Sequence, residues 1–300
     1  MKSITKNIFL FSALILVTSC LRLDANLYNS DNTITEYYLD NYAGEVDFIL
    51  DETYTIPDSL IHLFSLNSKT ASEKESTEIK AIYIGSISKI KTDTIIVYCH
   101  GNRDHMDFYW QRAKLLANVG AKNHYGVLMM DYRGYGLSKG VATEEGLYAD
   151  VDACLQWLQA NGLDNKRLIM YGFSLGSAPA TELTANPRTL VPSKLILEAP
   201  FASAAVMVQD GSKMAMPAEY FTDLKIDNAE EIKKVSQPFM WIHGTKDDFL
   251  SIETHGEVVY KNYKGFYSEA HRVSGGGHGS VPNTMGIDEY KKTFLKFIVK

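Results

Sequence analysis

Short runs made up almost wholly of apolar residues recur along the chain at Thr94–Tyr98, Tyr125–Met130, Arg167–Tyr171, Lys194–Leu197 and Phe239–Ile242. Runs of this kind mark strands buried on both faces, as in a parallel sheet covered by helices. Between them lie stretches with helical periodicity. One covers about Asp107–Val119. Another runs from Thr143 to Ala160, with Leu147, Val151, Leu155 and Leu158 on one face, and Asn161-Gly162 closes it as a C-cap glycine does. Further helices are expected after Tyr171 to about Ala185, over Glu253–Tyr263 and over Asp288–Val299, with a strand at Tyr267–Val273. The opening of the chain has a different rhythm. Val46–Leu50, Tyr54–Ile56, Leu60–Leu66 and Ala81–Ile84 read as short strands, and the charged, Ser/Thr-rich stretch Lys69–Lys80 reads as a solvated loop. An antiparallel start followed by strand–helix alternation predicts an α/β protein with a mostly parallel sheet and helices on both faces. The chain shows no internal repeat and no low-complexity tract.

A chain of 300 residues, 45% hydrophobic, can build one large α/β domain or two small ones. The net charge of −6, with Lys and Arg scattered, leaves no nucleic-acid footprint. The N-terminus is organised for targeting rather than folding. Lys2 and Lys6 precede an apolar run from Ile8 to Val17, too short for a membrane span. Val17-Thr18-Ser19-Cys20 resembles a bacterial lipobox. This predicts a lipoprotein-type signal peptide over 1–19, lipidation at Cys20, a polar tether over 20–44 and a domain over 45–300. Acyl chains, each buried CH₂ contributing about 0.8 kcal/mol, would then hold the protein in the bacterial cell envelope, on the periplasmic or surface side. The two remaining cysteines, Cys99 and Cys154, read as buried thiols, with one disulfide as the alternative in an oxidising envelope.

The chemistry centres on Gly172-Phe173-Ser174-Leu175-Gly176, which follows a strand and precedes the small, helix-compatible run Ser177–Leu183. In that setting G-x-S-x-G forms a nucleophile elbow. A serine nucleophile needs a base, and histidine titrates nearest neutrality. Of eight histidines, His278 fits best, in the glycine-rich loop Gly275–Gly279 after the last strand. A carboxylate must orient the imidazole. Asp247 and Asp248 follow the strand ending at Ile242, and Glu198 follows an earlier one; spacing does not choose among them. The order Ser, Asp, His is that of the α/β-hydrolases. Backbone N–H donors for an oxyanion are expected from Leu175 and from the loop His100–Arg103. No metal-ligand cluster, phosphate-binding loop or dinucleotide fingerprint occurs, so neither metal nor cofactor is implied.

Over Tyr54–Phe297 the chain resembles the α/β-hydrolase superfamily. The resemblance rests on His100-Gly101-Asn102, Asp131-Tyr132-Arg133-Gly134-Tyr135-Gly136, Gly172–Gly176, Leu197-Glu198-Ala199-Pro200-Phe201, His243-Gly244-x-x-Asp247 and Gly277-His278. The first two look like the branch holding small esterases and protein-depalmitoylating thioesterases. The resemblance implies Ser174, Asp247 and His278 as a triad, with the Asn102 and Leu175 N–H groups as oxyanion hole. It also implies that His100 and Asp131–Gly136 shape loops, with Arg133 in a structural ion pair rather than on substrate. The segment between Pro200 and Pro238 is long enough for a short lid but not for a cap domain. Its Phe201, Met207, Met214, Met216, Tyr220 and Phe221 either line an acyl pocket or pack on the sheet. The chain departs from the pattern at Arg103-Asp104-His105, which predicts a polar mouth and an exposed His105. The expected function is hydrolysis of a small carboxylic ester or thioester through an acyl-serine. A serine peptidase of aminopeptidase type acting on short peptides is the alternative, and a lipid-anchored binding protein that has lost the chemistry is the third reading.

Overall fold

The apolar runs become strands whose alternate side chains fill two separate cores. A computed structural model describes residues 27–45, 48–212 and 222–300. The expected signal segment 1–19, Cys20, Met214, Met216, Tyr220 and Phe221 lie outside the described residues. Eight strands form the main sheet: β1 (Ile61–Ser68), β2 (Thr77–Ile84), β3 (Ile95–Cys99), β4 (Gly126–Asp131), β5 (Leu168–Phe173), β6 (Lys194–Glu198), β7 (Phe239–Gly244) and β8 (Ser268–Val273). Their spatial order is β1-β2-β4-β3-β5-β6-β7-β8. β2 pairs antiparallel with β1 and β4; every other pairing is parallel.

The pleat sorts the runs. Ile95, Val97, Cys99, Leu168 and Met170 face one core, whereas Ile96, Tyr98, Ile169 and Tyr171 face the other. Both faces are covered, which is why the central strands read as continuous apolar runs. The described helices are α1 (Trp110–Ala117), α2 (Glu144–Ala160), α3 (Ser177–Ala185), α4 (Ala204–Ser212), α5 (Asn228–Glu231), α6 (Gly256–Asn262), α7 (Val281–Met285) and α8 (Ile287–Ile298). On the first face, α2 buries Leu147, Val151, Cys154, Leu155 and Leu158. It starts where Thr143 Oγ1 accepts the Gly146 N–H at 3.1 Å. On the second face, α1 and α8 bury Trp110, Ala113, Leu116, Tyr290, Phe294 and Phe297.

Four expectations need correction. Glu52–Tyr54 is a 3₁₀ turn capped by Asp51, and no strand runs through Phe48–Leu50 or Tyr54–Ile56. Phe48, Leu50, Tyr54 and Ile56 are buried as anchors of a loop, so their apolar spacing reflects packing and not pleating. The expected loop Lys69–Lys80 gives up its last four residues to β2, where Ile79 points inward while Glu78 and Lys80 pair outside. The expected tether is not free in its described part. Leu27 is buried, Asn29 and Ser30 pair in parallel with Arg103 and Asp104, and Tyr37 donates to Asp131 Oδ2 at 2.6 Å. His105 is buried rather than exposed, packed between the rings of Tyr37 and Tyr42. The docked N-terminal segment covers it, which no local spacing foretells.

Cys99 and Cys154 are both buried free thiols, and burial pushes both well above the usual thiol range.

Candidate active site

Ser174 stands where β5 turns sharply into α3. Its φ is +52°, the left-handed region that costs a residue with a Cβ about 1–3 kcal/mol. Close packing holds that strain. A Cβ at Gly172 would fall 2.5 Å from the Gly176 carbonyl oxygen and 2.8 Å from Ala180. One at Gly176 would fall 1.9 Å from the Cys99 oxygen and 2.7 Å from the His100 oxygen. Both glycines of the motif therefore allow backbone to touch backbone, and the second seats the elbow against the end of β3. Ser177 Oγ donates to the Ser174 carbonyl at 2.6 Å, closing the turn.

His278 and Asp247 reach the serine on two loops stitched together beyond β7 and β8. The Thr245 N–H donates to Val273 O at 2.9 Å, and the Lys246 N–H to Gly276 O at 2.8 Å. A Cβ at Gly244 would lie 2.2 Å from the Gly276 oxygen, so the loops meet only across a glycine. His278 Nε2 lies 2.9 Å from Ser174 Oγ, and His278 Nδ1 lies 2.7 Å from Asp247 Oδ2. A carboxylate only accepts, so Nδ1 carries the hydrogen and Nε2 is left to accept from the serine hydroxyl.

Asp247 is held from every side. Oδ1 accepts the N–H groups of Phe249 at 3.0 Å and Leu250 at 2.8 Å. Oδ2 lies 3.0 Å from His243 Nε2. That nitrogen also lies 3.0 Å from the Leu250 carbonyl, so between two acceptors it must be N–H. Burial would raise the Asp247 carboxyl, but the hydrogen bonds from His243 and His278, then the His278 charge and the Leu250 N–H, hold it well below the usual carboxylate range. The other two acid candidates stand elsewhere. Asp248 is exposed on the same turn. Glu198 is buried, taking Arg112 Nη1 at 2.6 Å, Tyr290 OH at 2.7 Å and Tyr171 OH at 3.0 Å.

The loop after β3 lies beside the elbow and is braced through the Asn102 side chain. Asn102 Oδ1 accepts the Asn29 N–H at 2.6 Å and Tyr135 OH at 3.1 Å. Leu175 lies in the first turn of the helical segment, where N–H groups have no intrahelical acceptor. His100 stays in the loop framework, fully buried, with Nε2 3.3 Å from Asp131 Oδ1. Arg133 is buried and joins Asp150 and Glu73 in a structural ion pair.

A cavity of about 470 Å³ opens at Ser174 and His278, walled by Phe108, Tyr109, Phe173, Phe249, Asn102 and Glu45. Arg103 stands at its mouth, in keeping with the expected polar rim. Phe201 is buried in the core and is not on this wall, so of its two readings the packing one holds. Three contributors were not singled out from sequence. In the sequence His243 is only a marker four residues before the acid candidate, and that same spacing is the signal for its bond to Asp247. Phe249 is exposed, with its ring 5.1 Å from that of His278. Glu45, from the docked N-terminal segment, has its carboxyl pushed up by burial and drawn down by Arg112.

A family model described as Serine aminopeptidase, S33 matches residues 90–237. The alpha/beta hydrolase domain-containing protein 17C of Mus musculus is 27% identical over 201 residues, 67% of this chain and 59% of that protein. The Caenorhabditis elegans protein aho-3, also named as an alpha/beta hydrolase domain-containing protein, is 28% identical over 201 residues, 67% of this chain and 57% of that one. The match thus spans less than two thirds of these relatives' own length. Among solved structures, the Pyrococcus furiosus esterase Pf2001 superposes with a TM-score of 0.64 at 16% identity, covering 90% of this chain and 98% of that one. An esterase from Exiguobacterium antarcticum gives 0.58 at 19% identity, with 79% and 100% covered. At these identities the likeness is one of fold, and the fold is that of the α/β-hydrolases.

Proposed function

We propose that this α/β-hydrolase cleaves a carboxylic ester or thioester through an acyl-serine intermediate, with Ser174 as nucleophile, His278 as base and Asp247 as the orienting acid. The observation that carries the reading is the unbroken relay from Ser174 Oγ through His278 to Asp247, at 2.9 and 2.7 Å. Ser174 Oγ bonds to the acyl carbon as its proton passes to His278 Nε2, and the carbonyl π pair moves onto oxygen. The Leu175 and Asn102 N–H groups receive that oxyanion. Collapse of the intermediate breaks the bond to the alkoxide or thiolate, which leaves with the proton from His278. Water then repeats the sequence on the acyl-serine, returning Ser174 and releasing the acid.

Ester or thioester is favoured by the esterases among the neighbours of like fold and by the aromatic wall beside Ser174. The family description favours the second reading, a serine peptidase acting on short peptides. Profiling p-nitrophenyl esters of graded chain length, acyl thioesters and aminoacyl amides decides between them. Ser174→Ala should abolish turnover and fluorophosphonate labelling in a folded protein; retained turnover would remove the assignment. We also propose anchoring in the bacterial cell envelope through lipid on Cys20. A clickable fatty acid should label the wild type and not Cys20→Ala, and an unlabelled wild type refutes the anchor.

A further inference from the structure

Beneath the relay lies a buried polar cluster that the reaction itself does not use. At its centre is Arg112 of α1, fully buried. Its Nη1 donates to Glu198 Oε1 at 2.6 Å and to Tyr171 OH at 3.3 Å. Its Nη2 donates to Glu45 Oε1 at 3.0 Å and to the carbonyl of Gly279 at 3.1 Å. Gly279 is the residue after His278. The guanidinium also lies over the ring of Phe173, 4.3 Å from its centroid, and Phe173 is the residue before Ser174. That ring in turn lies 5.3 Å from the His278 imidazole. One planar cation thus touches the neighbour of the nucleophile and the neighbour of the base at once.

We propose that Arg112 is a positioning residue for the proton transfer, clamping the His278 loop to the Ser174 elbow through the Gly279 carbonyl and the Phe173 ring. The clamp rests on the assignment of Ser174 and His278 above. The loop around His278 needs such a hold, because it runs through Gly275, Gly276, Gly277 and Gly279 and has little stiffness of its own. The carboxylates on either side hold the planar guanidinium in place. Glu198 is fixed further by the hydroxyls of Tyr171 and Tyr290, at 3.0 and 2.7 Å. Glu45 comes from the N-terminal segment, which therefore completes the support of the base. Only a guanidinium can serve all these partners together, since its donors lie in one rigid plane. An ammonium keeps the charge but must choose among them.

The test separates folding from catalysis in Arg112→Met, Arg112→Lys and Phe173→Leu. Arg112→Lys should recover thermal stability relative to Arg112→Met, because it restores a cation between the two carboxylates. It should not recover kcat, which falls on the order of 10²-fold, as misplacement of a base by about 1 Å implies, while KM stays near the wild-type value. The rate of fluorophosphonate labelling at Ser174 should fall in parallel. Phe173→Leu keeps an apolar side chain but removes the ring between Arg112 and His278, and kcat should fall about ten-fold. Wild-type kcat and labelling in Arg112→Lys overturn the clamp. If Arg112→Lys does not fold, Phe173→Leu decides, and an unchanged kcat there overturns it. A wild type inactive on all acyl substrates and unlabelled by the probe would remove the reading of the site, and the clamp with it.

Discussion

Replacing Asp247 by Asn changes one atom's chemistry and leaves the volume unchanged, so the consequence can be worked from hydrogen-bond counting. All four partners of this carboxylate are donors: His243 Nε2–H, His278 Nδ1–H and the N–H groups of Phe249 and Leu250. An amide has one accepting oxygen. If it stays with the two backbone N–H groups, its NH₂ faces both histidines. His278 can accept from that NH₂ only by moving its own proton to Nε2, where it points at Ser174 and cannot take the serine's proton. If the amide flips, the NH₂ confronts two backbone donors that cannot change. Either outcome disables the base. The expected loss in kcat is on the order of 10⁴-fold, about 5 kcal/mol of transition-state stabilisation. Asp248 is exposed and one position away. Asp248→Asn should leave kcat within about two-fold, as surface changes of about 0.5 kcal/mol do. Steady-state hydrolysis of a p-nitrophenyl ester by both variants, each checked for folding by circular dichroism, makes the comparison. Asp247→Asn within ten-fold of wild type, or Asp248→Asn the more damaging, would refute the reasoning.

The same carboxylate should leave a mark on acid stability. Its folded value lies below its unfolded value of about 3.9, so its contribution is complete above that range and declines as pH falls below it. Thermal melts between about pH 5 and pH 2 should therefore show a shallower loss in Asp247→Asn than in wild type; parallel curves would contradict this. Gly176→Ala drives a Cβ to 1.9 Å from the Cys99 oxygen, separating the elbow from the Asn102 loop. Turnover should fall about 10²-fold or more, and a fully active variant would show that the close approach does not matter. Arg133→Met strands Asp150, which is buried and bonded to the guanidinium at 2.9 Å. Denaturant melts should lose about 3–5 kcal/mol while the folded variant keeps its KM, and a raised KM would instead put Arg133 on the substrate.

How much of this was legible depends on how local each feature is. The elbow could be read because its requirements, two glycines and a serine between strand and helix, fall within five residues of sequence. The strands of the sheet could be read because burial on both faces leaves an unbroken apolar run. His278 was indicated by its glycines, but Asp247 was separated from Asp248 only by likeness to known hydrolases, since neighbouring positions on a turn look alike until side chains point somewhere. The structure turned one into a buried acceptor for four donors and left the other in solvent.

Other features depend on which surfaces meet, and those only tertiary structure decides. The hydrogen bond from Arg112 to Gly279 joins residues 167 apart, and that from Asn29 to Asn102 joins residues 73 apart. Periodicity cannot report such pairs, because it records only which side of an element is buried. A polar stretch such as 27–44 has only a weak apolar period, and its composition predicts a tether. It docks instead through backbone N–H groups and tyrosine hydroxyls that find buried carboxylates, as when Tyr38 and Leu39 donate to Asp107 at 2.7 and 2.8 Å. The amino-acid sequence by itself determined the class of fold, the candidate nucleophile and the order in which the candidate acid and base follow it. What holds the nucleophile and base at 2.9 Å, and closes one wall of the cavity, came from contacts between distant segments.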